Sequence, residues 1–395
     1  MDHLHNSKAH HAQVLRNHLI EASRLRFTRS DVPVGAYLSG GIDSSLISSI
    51  VNSYTESPLS TYSMRFTDEE YDEGRYQHDM IQRLGTRHSE AAISHSSIGD
   101  IFPTVIWHTE CPILRTAPAP LFLLSRLVHE CGHKVVVTGE GADEVLLGYD
   151  IFREAKARLF LSRDPASRKR LHILDALYPW VHRSPSTIPA FGRAFFKKAL
   201  YPSDPAFSHR PRWTTTAALQ NLLHQDLQAE IHNLNIEEEL LGRLSPAGTT
   251  WDMLSRAQWL EYTTLLSGYL LSSQGDRMLM AHSVEGRFPF LDCSLVDFAN
   301  GVPPQHKLFA LDEKHLLKIG FSDLLPPSIL QRPKQPYRAP DAASFFGTTH
   351  EWVDDLVSEQ TLTDAGIFNP PAVHRLVEKC RQKKGMHMSN TDNMR

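Results

Sequence analysis

Val32-Pro33-Val34-Gly35-Ala36-Tyr37-Leu38-Ser39-Gly40-Gly41-Ile42-Asp43-Ser44-Ser45 is the stretch on which the fold turns. It opens as a short apolar run, stops at Ser39-Gly40-Gly41, and continues into Leu46, Ile47, Ile50 and Val51 at the spacing of a buried helix face. The order is strand, glycine turn, helix. Glycines let a backbone come close to a polyanion, and the hydroxyls and helix N-terminal amides supply donors to phosphate oxygens. The stretch has neither the G-K-[ST] ending of a Walker loop nor the G-x-G-x-x-G spacing of a dinucleotide fingerprint. Five fixed residues in the order S-G-G-x-D-S, each at about 7% usage, arise by chance in well under ~1% of chains this long. The turn therefore reads as a binding loop rather than a plain helix cap.

Outward from this stretch, residues 59–66 alternate around Tyr62, Met64 and Phe66 as a second strand, 71–84 read as a helix, and 89–93 as a third strand. Residues 121–129 are helical, Cys131-Gly132-His133 turns, and the Val-Val-Val centre of 134–138 is a compact strand that runs into Gly139-Glu140-Gly141. An amphipathic helix over 14–27, carried by Val14, Leu15, Leu19, Ile20 and Leu25, leads in. Strands alternating with helices imply an α/β fold, a parallel sheet flanked by helices, in which ligands lie beyond the carboxyl ends of the strands. The glycine-bearing strand ends at 39–41 and 139–141 are where a site should form. From 153 to 265 the chain becomes charged and helical, broken by Pro and Ser as in Leu177-Tyr178-Pro179-Trp180, and reads as a mostly helical additional lobe. The chain thus divides into a flexible tail at 1–13, a nucleotide-binding core at 14–152, the helical lobe at 153–265, a stretch at 266–355 that completes the active site, and a C-terminal part at 356–395. That last part holds a helix over 373–384, and its final ten or so residues are expected to be disordered.

Composition narrows the function classes. The chain has 395 residues, 41 Lys plus Arg against 45 Asp plus Glu, and 41% apolar residues, enough for about two well-buried domains. A formal charge of −4 gives no overall positive field to collect phosphate backbones, which argues against nucleic-acid binding. The four cysteines, Cys111, Cys131, Cys293 and Cys380, are widely spaced and read as reduced thiols of a cytoplasmic protein. Nowhere does the chain run apolar for the roughly 18 residues a membrane span needs, and no apolar leader opens it. His3, His5, His10 and His11 have no acidic or cysteine partner beside them, so their segment reads as a solvated tail rather than a metal site.

The second chemical signal is Thr138-Gly139-Glu140-Gly141-Ala142-Asp143-Glu144. Three carboxylates within five residues at a strand end repel one another unless a cation neutralises them. Alone, such a cluster reads as an acidic surface turn. Together with the first loop it resembles the synthetase domain of the asparagine synthetases, within the pyrophosphate-loop ATPases that split ATP into AMP and pyrophosphate while adenylating a substrate. Six further stretches resemble that family: Leu114-Arg115-Thr116-Ala117-Pro118, Tyr149-Asp150-Ile151-Phe152, Asp276-Arg277-Met278-Leu279-Met280-Ala281-His282-Ser283-Val284-Glu285, Arg287-Phe288-Pro289-Phe290-Leu291-Asp292, Glu313-Lys314-His315-Leu316-Leu317 and Arg332-Pro333-Lys334-Gln335-Pro336-Tyr337. They run in order between about residues 14 and 345.

The resemblance implies ATP and Mg²⁺. It implies that Leu38 and Met64 contact adenine and ribose, that Ser39, Gly40, Gly41, Asp43 and Ser44 hold pyrophosphate with Thr138 and Gly139 beside them, and that Asp43 and Asp143 share Mg²⁺. Glu140 matches the catalytic glutamate that orients or deprotonates an incoming amine, and Lys334 the lysine that stabilises charge on the α-phosphate. Arg115 and Lys314 would help with phosphate or a substrate carboxylate, with Lys318 on the same helical face as Lys314 adding positive potential. Arg277, Arg287 and the Phe288-Pro289-Phe290-Leu291 run read as packing and ion pairing. The implied reaction converts aspartate to asparagine through β-aspartyl-AMP.

Two departures bear on substrates. In the glutamine-dependent members a glutaminase domain whose first residue is a catalytic cysteine precedes the synthetase part, whereas residue 2 here is Asp and the earliest cysteine is Cys111. The expected amine is thus free ammonia, ammonia from a separate glutaminase chain, or another amine. The stretch Tyr269-Leu270-Leu271-Ser272-Ser273-Gln274-Gly275 lacks the charged residues that often face the amino acid in the family. This opens a second reading, an amide or lactam synthetase acting on a different carboxylic acid. A catalytically silent remnant is a third, opposed by the intact Asp43, Glu140, Asp143 and Lys334 set. Small-molecule substrates are the partners expected, with room for a homodimer.

Overall fold

The computed structural model describes residues 7–177, 190–348 and 350–386. Five strands form one sheet: β1 (Val34–Tyr37), β2 (Ser60–Phe66), β3 (Arg87–Ile93), β4 (Val135–Val137) and β5 (Glu285–Arg287), in the order β3-β2-β1-β4-β5. Every neighbouring pair is parallel. All three valines of β4 are buried, as expected for a strand covered on both faces. From β1 the chain moves outward to β2 and β3, then returns to lay β4 on the other side of β1. The strand order reverses between β1 and β4, which is the point where an open parallel sheet leaves a crevice beyond its carboxyl ends. Both glycine loops leave the sheet there.

Helices cover the sheet: α1 (Lys8–Thr28), α2 (Ile42–Asn52), α3 (Gly74–Leu84), α4 (His95–Thr109), α5 (Pro118–Glu130), the one-turn α6 (Ala142–Val145) and α7 (Asp150–Ser162). The core that joins them to β1 and β4 includes Leu15, Leu19, Leu38, Leu46, Ile47, Val137 and Phe290. The expected α/β sheet flanked by helices is what the chain forms. Residues 153–265 are helical where described, in short helices and turns. In this stretch Ala157, Leu161, Leu174, Leu177 and Phe196 form a buried cluster, with Leu311 packed against it. Buried Arg158 donates to the carbonyls of Phe196, Lys198, Ala199 and Phe207, so one guanidinium satisfies backbone that forms no regular ladder.

Three expectations need correction. The tail expected at 1–13 is helical from Lys8, with the Ser7 side chain accepting from the His10 amide as N-cap. His11 and Ala12 are buried there, extending the stripe of Leu15, Leu19 and Ala22 by one turn; His11 Nδ1 lies 2.8 Å from His306 Nδ1. The sequence reading stopped at Val14 because a histidine and an alanine carry the earlier part of the stripe. Helix α4 adds an element that the sequence pattern does not announce; its N-terminus is fixed by a reciprocal box in which Ser94 and Ser97 bond each other's backbone amides, and it accommodates Pro103 in its interior. Strand β5 is only three residues long and begins the block read as packing. In that block Arg287 donates to Glu285 and to the carbonyls of Arg26 and Arg29 at the end of α1, while Phe290 is fully buried, so its packing role stands beside the strand. Other boundaries move by a few residues, including the C-terminal helix, which is Pro370–Gln382.

The expectations for His3, His5, residues 178–189 and the last residues from 387 fall outside the described residues. No helix among the described residues is long and apolar enough to cross a membrane. The four cysteines are free thiols.

Because α1 is part of the core, Leu15→Ala should destabilise the chain by about 2–5 kcal/mol. Urea unfolding of the two proteins measures this. A change indistinguishable from zero would mean that the helix rests on the surface.

Candidate active site

The first loop is held from several sides. Gly40 has φ +76°, a conformation that favours glycine, and a Cβ there would lie 2.7 Å from Cβ of Tyr76 on α3. Ser39 and Ser44 Oγ are 2.9 Å apart, and Ser44 Oγ also accepts from the Ser39 amide at 3.1 Å. Gly41 caps α2 without a side-chain bond, so no side chain of the cap competes for the first amides of that helix. Those amides carry the positive end of an 11-residue helix, a natural seat for phosphate oxygens. Arg332 donates to the Gly40 carbonyl at 2.9 Å, pairs with Glu73, and stacks over Tyr76 with its guanidinium carbon 4.0 Å from the ring centre.

The second loop presses against the first. At Gly139 a Cβ would sit 2.8 Å from both Asp43 Cβ and the Ser44 amide nitrogen, so only glycine lets the two strand ends approach this closely. Beyond it, Glu140 is half-buried at the crevice and Asp143 lies on α6. Lys314, fully buried, joins the loops: its Nζ lies 2.5 Å from Asp43 Oδ2 and 2.6 Å from Asp143 Oδ1. Lys334 Nζ lies 2.5 Å from the other oxygen of Asp143. Tyr149 donates to Glu144 Oε1 at 2.7 Å and lies under Lys334, whose Nζ is 5.6 Å from the ring centre.

The electrostatics divide the four carboxylates: burial pushes Asp43 up, against the pull of Lys314. Burial acts against an ionised Asp143, but Lys314 and Lys334 overcome it and hold the carboxyl at about 2. Burial also opposes the charge on Lys334, and Asp143 and Asp43 raise it above its ordinary range. Glu140 is pushed up to about 7, by burial and then by the charge of Asp143. Glu144 goes up to about 8 for the same two reasons in the same order. The Glu140 amide donates to Thr138 Oγ1, while its carboxylate has no hydrogen-bond or ion-pair partner among the described residues and is open to whatever enters the crevice.

The donor set fits a hard divalent cation. Asp43 Oδ1 and Asp143 Oδ1 are buried and accept no hydrogen bond among the described residues, although Lys314 stands beside the second. Among the described residues no group of three or more His, Cys, Asp or Glu could hold a metal. Two carboxylates alone suit Mg²⁺, which completes its shell with phosphate oxygens and water.

Of the residues expected in the site, Ser39, Gly40, Gly41, Asp43, Ser44, Thr138, Gly139, Glu140, Asp143, Lys314 and Lys334 come together on the two loops or against them. Leu38 is fully buried in the core cluster beneath the first loop. Met64 Sδ lies 3.9 Å from the Tyr337 hydroxyl, whose proton is donated to the Ala117 carbonyl at 2.9 Å. Arg115 pairs with Asp341 at 2.8 Å, and Asp341 also accepts from the amide and hydroxyl of Thr116. Lys318 does not add the expected positive potential. Lys314 precedes the helix His315–Gly320 in a left-handed conformation, and the Lys318 ammonium bonds Asp312 and Glu313. Arg277 pairs with Glu110, as its packing role requires. The clamp made by Arg332 was not foreseen, although it stands two residues before Lys334 in a block already singled out.

The profile of the asparagine synthase family matches residues 14–394. The chain is 28% identical over 359 residues to asparagine synthetase (glutamine-hydrolyzing) 1 of Bacillus subtilis, covering 90% of this chain and 54% of that protein. It is 28% identical over 384 residues to amidase chry2 of Gibberella zeae, covering 90% and 56%. Against amidase chyE of Penicillium rubens it is 26% identical over 407 residues, covering 94% and 59%. The chain spans about half the length of these curated relatives.

Gly139→Ala should force the loops apart and destabilise the chain by about 1–3 kcal/mol, the usual cost of overpacking a close contact. The check is urea unfolding of the variant beside the unaltered protein. Unchanged stability would show that the contact between the loops does not matter to the fold.

Proposed function

Because this chain belongs to the asparagine synthase family, we propose that it is an ATP-dependent amide-forming ligase that adenylates a carboxylic acid and passes the acyl group to an amine. The observation that carries the reading is the convergence of Asp43, Asp143, Lys314 and Lys334 within 2.5 to 2.6 Å at the point where the strand order reverses. In the first step a carboxylate oxygen attacks the α-phosphorus of ATP. The bond from that phosphorus to its bridging oxygen breaks, and pyrophosphate leaves with the electron pair. The loop 39–44 and the first amides of α2 receive the departing pyrophosphate. Lys334, with the buried Lys314 beside it, offsets the charge that develops on the phosphate oxygens. Asp43 and Asp143 would hold Mg²⁺, which neutralises phosphate charge when bound. In the second step the amine attacks the acyl carbon, AMP leaves, and the nitrogen proton passes to Glu140. A carboxyl near 7 is matched to that transfer at neutral pH.

The acid proposed first is aspartate, activated at its β-carboxylate, with ammonia as the amine. Ammonia would come free or from a separate glutaminase chain. A second reading, a different carboxylic acid, is favoured by two observations: Arg115, the expected partner of a substrate carboxylate, is already paired with Asp341, and the helix Tyr262–Asp276 carries no cation. The presence of both a synthetase and two amidases among the relatives is compatible with either acid.

Pyrophosphate release from ATP and Mg²⁺ across a panel of acids, with no amine, ammonium or glutamine, separates these readings. Aspartate-dependent release with asparagine formed from ammonium supports the first. Release only with another acid moves the assignment to the second, and release with none rejects the ligase. Asp43→Ala and Lys334→Ala should abolish release, and normal turnover in either would reject its role. Amide formation should rise with pH as Glu140 loses its proton near 7, and Glu140→Gln should remove that rise; a profile flat through this range would exclude Glu140 as the base.

A further inference from the structure

The acidic turn is braced from a direction the chemistry does not use. Helix α6 is a single turn, too short to hold itself by cooperative hydrogen bonding. The carbonyls of Gly141, Ala142 and Asp143 accept from Val145, Leu146 and Gly148 amides. The next two, of Glu144 and Val145, both accept from Nε2 of Gln258, at 2.6 and 2.9 Å. Gln258 lies on the helix Met253–Glu261 and is buried, with 5% of its surface exposed.

A side-chain amide is nearly symmetric in shape, and its two ends differ only in whether they donate or accept. What fixes this one is Lys307. Its ammonium, with 1% of the residue exposed, donates to Gln258 Oε1 at 3.0 Å and to the Ala299 carbonyl at 3.1 Å. An ammonium has only donors, so it holds Oε1 toward itself and turns Nε2 toward the two carbonyls. Lys307 has no ion-pair partner among the described residues, and burial lowers its ammonium to about 8. An unpaired buried cation is costly, which points away from a role in stability alone.

We propose that Lys307 is a positioning residue: through the orientation it imposes on Gln258, it sets the acidic turn that carries Glu140 and Asp143. The catalytic half of this inference rests on the ligase reading. The structural half does not.

The test uses the full chain with Gln258→Glu. That change keeps shape and gives Lys307 a counter-ion, so the fold is retained, yet it faces an oxygen against both carbonyls. Amide hydrogen exchange across 143–148 should quicken about tenfold, the size of one lost hydrogen bond. The kcat for pyrophosphate release should fall about tenfold to 100-fold, with KM for ATP changed by no more than about twofold. Lys307→Met should give the same pattern, and the double variant should cost no more than the worse single change, because both act through one chain of bonds. Wild-type exchange and kcat in folded Gln258→Glu, or single effects that multiply, would overturn the proposal. If Lys307→Met does not fold, Gln258→Glu decides alone. Exchange is read whether or not the chain turns over ATP, so absent turnover in the unaltered protein would reject the ligase and leave the brace to be judged by exchange.

Discussion

A fully buried ammonium shared by two carboxylates on two different strand ends is the contact on which the rest of the site depends. Lys314 can sit there only because Asp43 and Asp143 meet it from opposite loops. Removing one partner of such a group commonly costs about 3–5 kcal/mol, since the remaining charge stays out of water. The contact in turn requires the loops to approach to the distance that Gly139 permits. The reversal of strand order between β1 and β4 brings the loops side by side in the first place. Sheet topology, glycine placement and buried charge thus support one arrangement at three scales.

The same arrangement separates protonation states within a small volume. Asp143 stays ionised because two lysines outweigh its burial, while Glu140, lacking a partner, is carried up to about 7. Carboxyl groups a few residues apart are thereby set to different protonation behaviour, one paired with two ammonium groups and one titrating near neutrality. Lys314 and Lys334 pair with the two aspartates and so tie the first loop to the second.

Much of this was legible in the sequence, and the limits have physical causes. Ser39-Gly40-Gly41 after an apolar run, and Gly139-Glu140-Gly141 after three valines, announce strand ends through residue types that few other structures require. Helix α1 was read six residues short because His11 and Ala12 occupy buried positions that pattern assigns to larger apolar residues. Strand β5 has three residues, one of them glycine, and offers no periodicity. The partners of Lys314 are 271 residues apart from it at Asp43, and nothing local in Glu313-Lys314-His315 says that its ammonium is buried between carboxylates. Gln258 and Lys307 carry no motif at all; the hydrogen bonds that join them to the acidic turn exist only in the folded chain.

The central claim is that the two loops bring a carboxylate into line with the α-phosphorus of ATP. It is tested most directly with the acid that supports pyrophosphate release, labelled with ¹⁸O in its reacting carboxylate, by mass analysis of the nucleotide product. An acyl adenylate intermediate predicts that AMP carries a labelled oxygen and that the amide keeps the other. Unlabelled AMP, or label recovered in phosphate or pyrophosphate, would contradict adenylation and with it the role assigned to the paired loops.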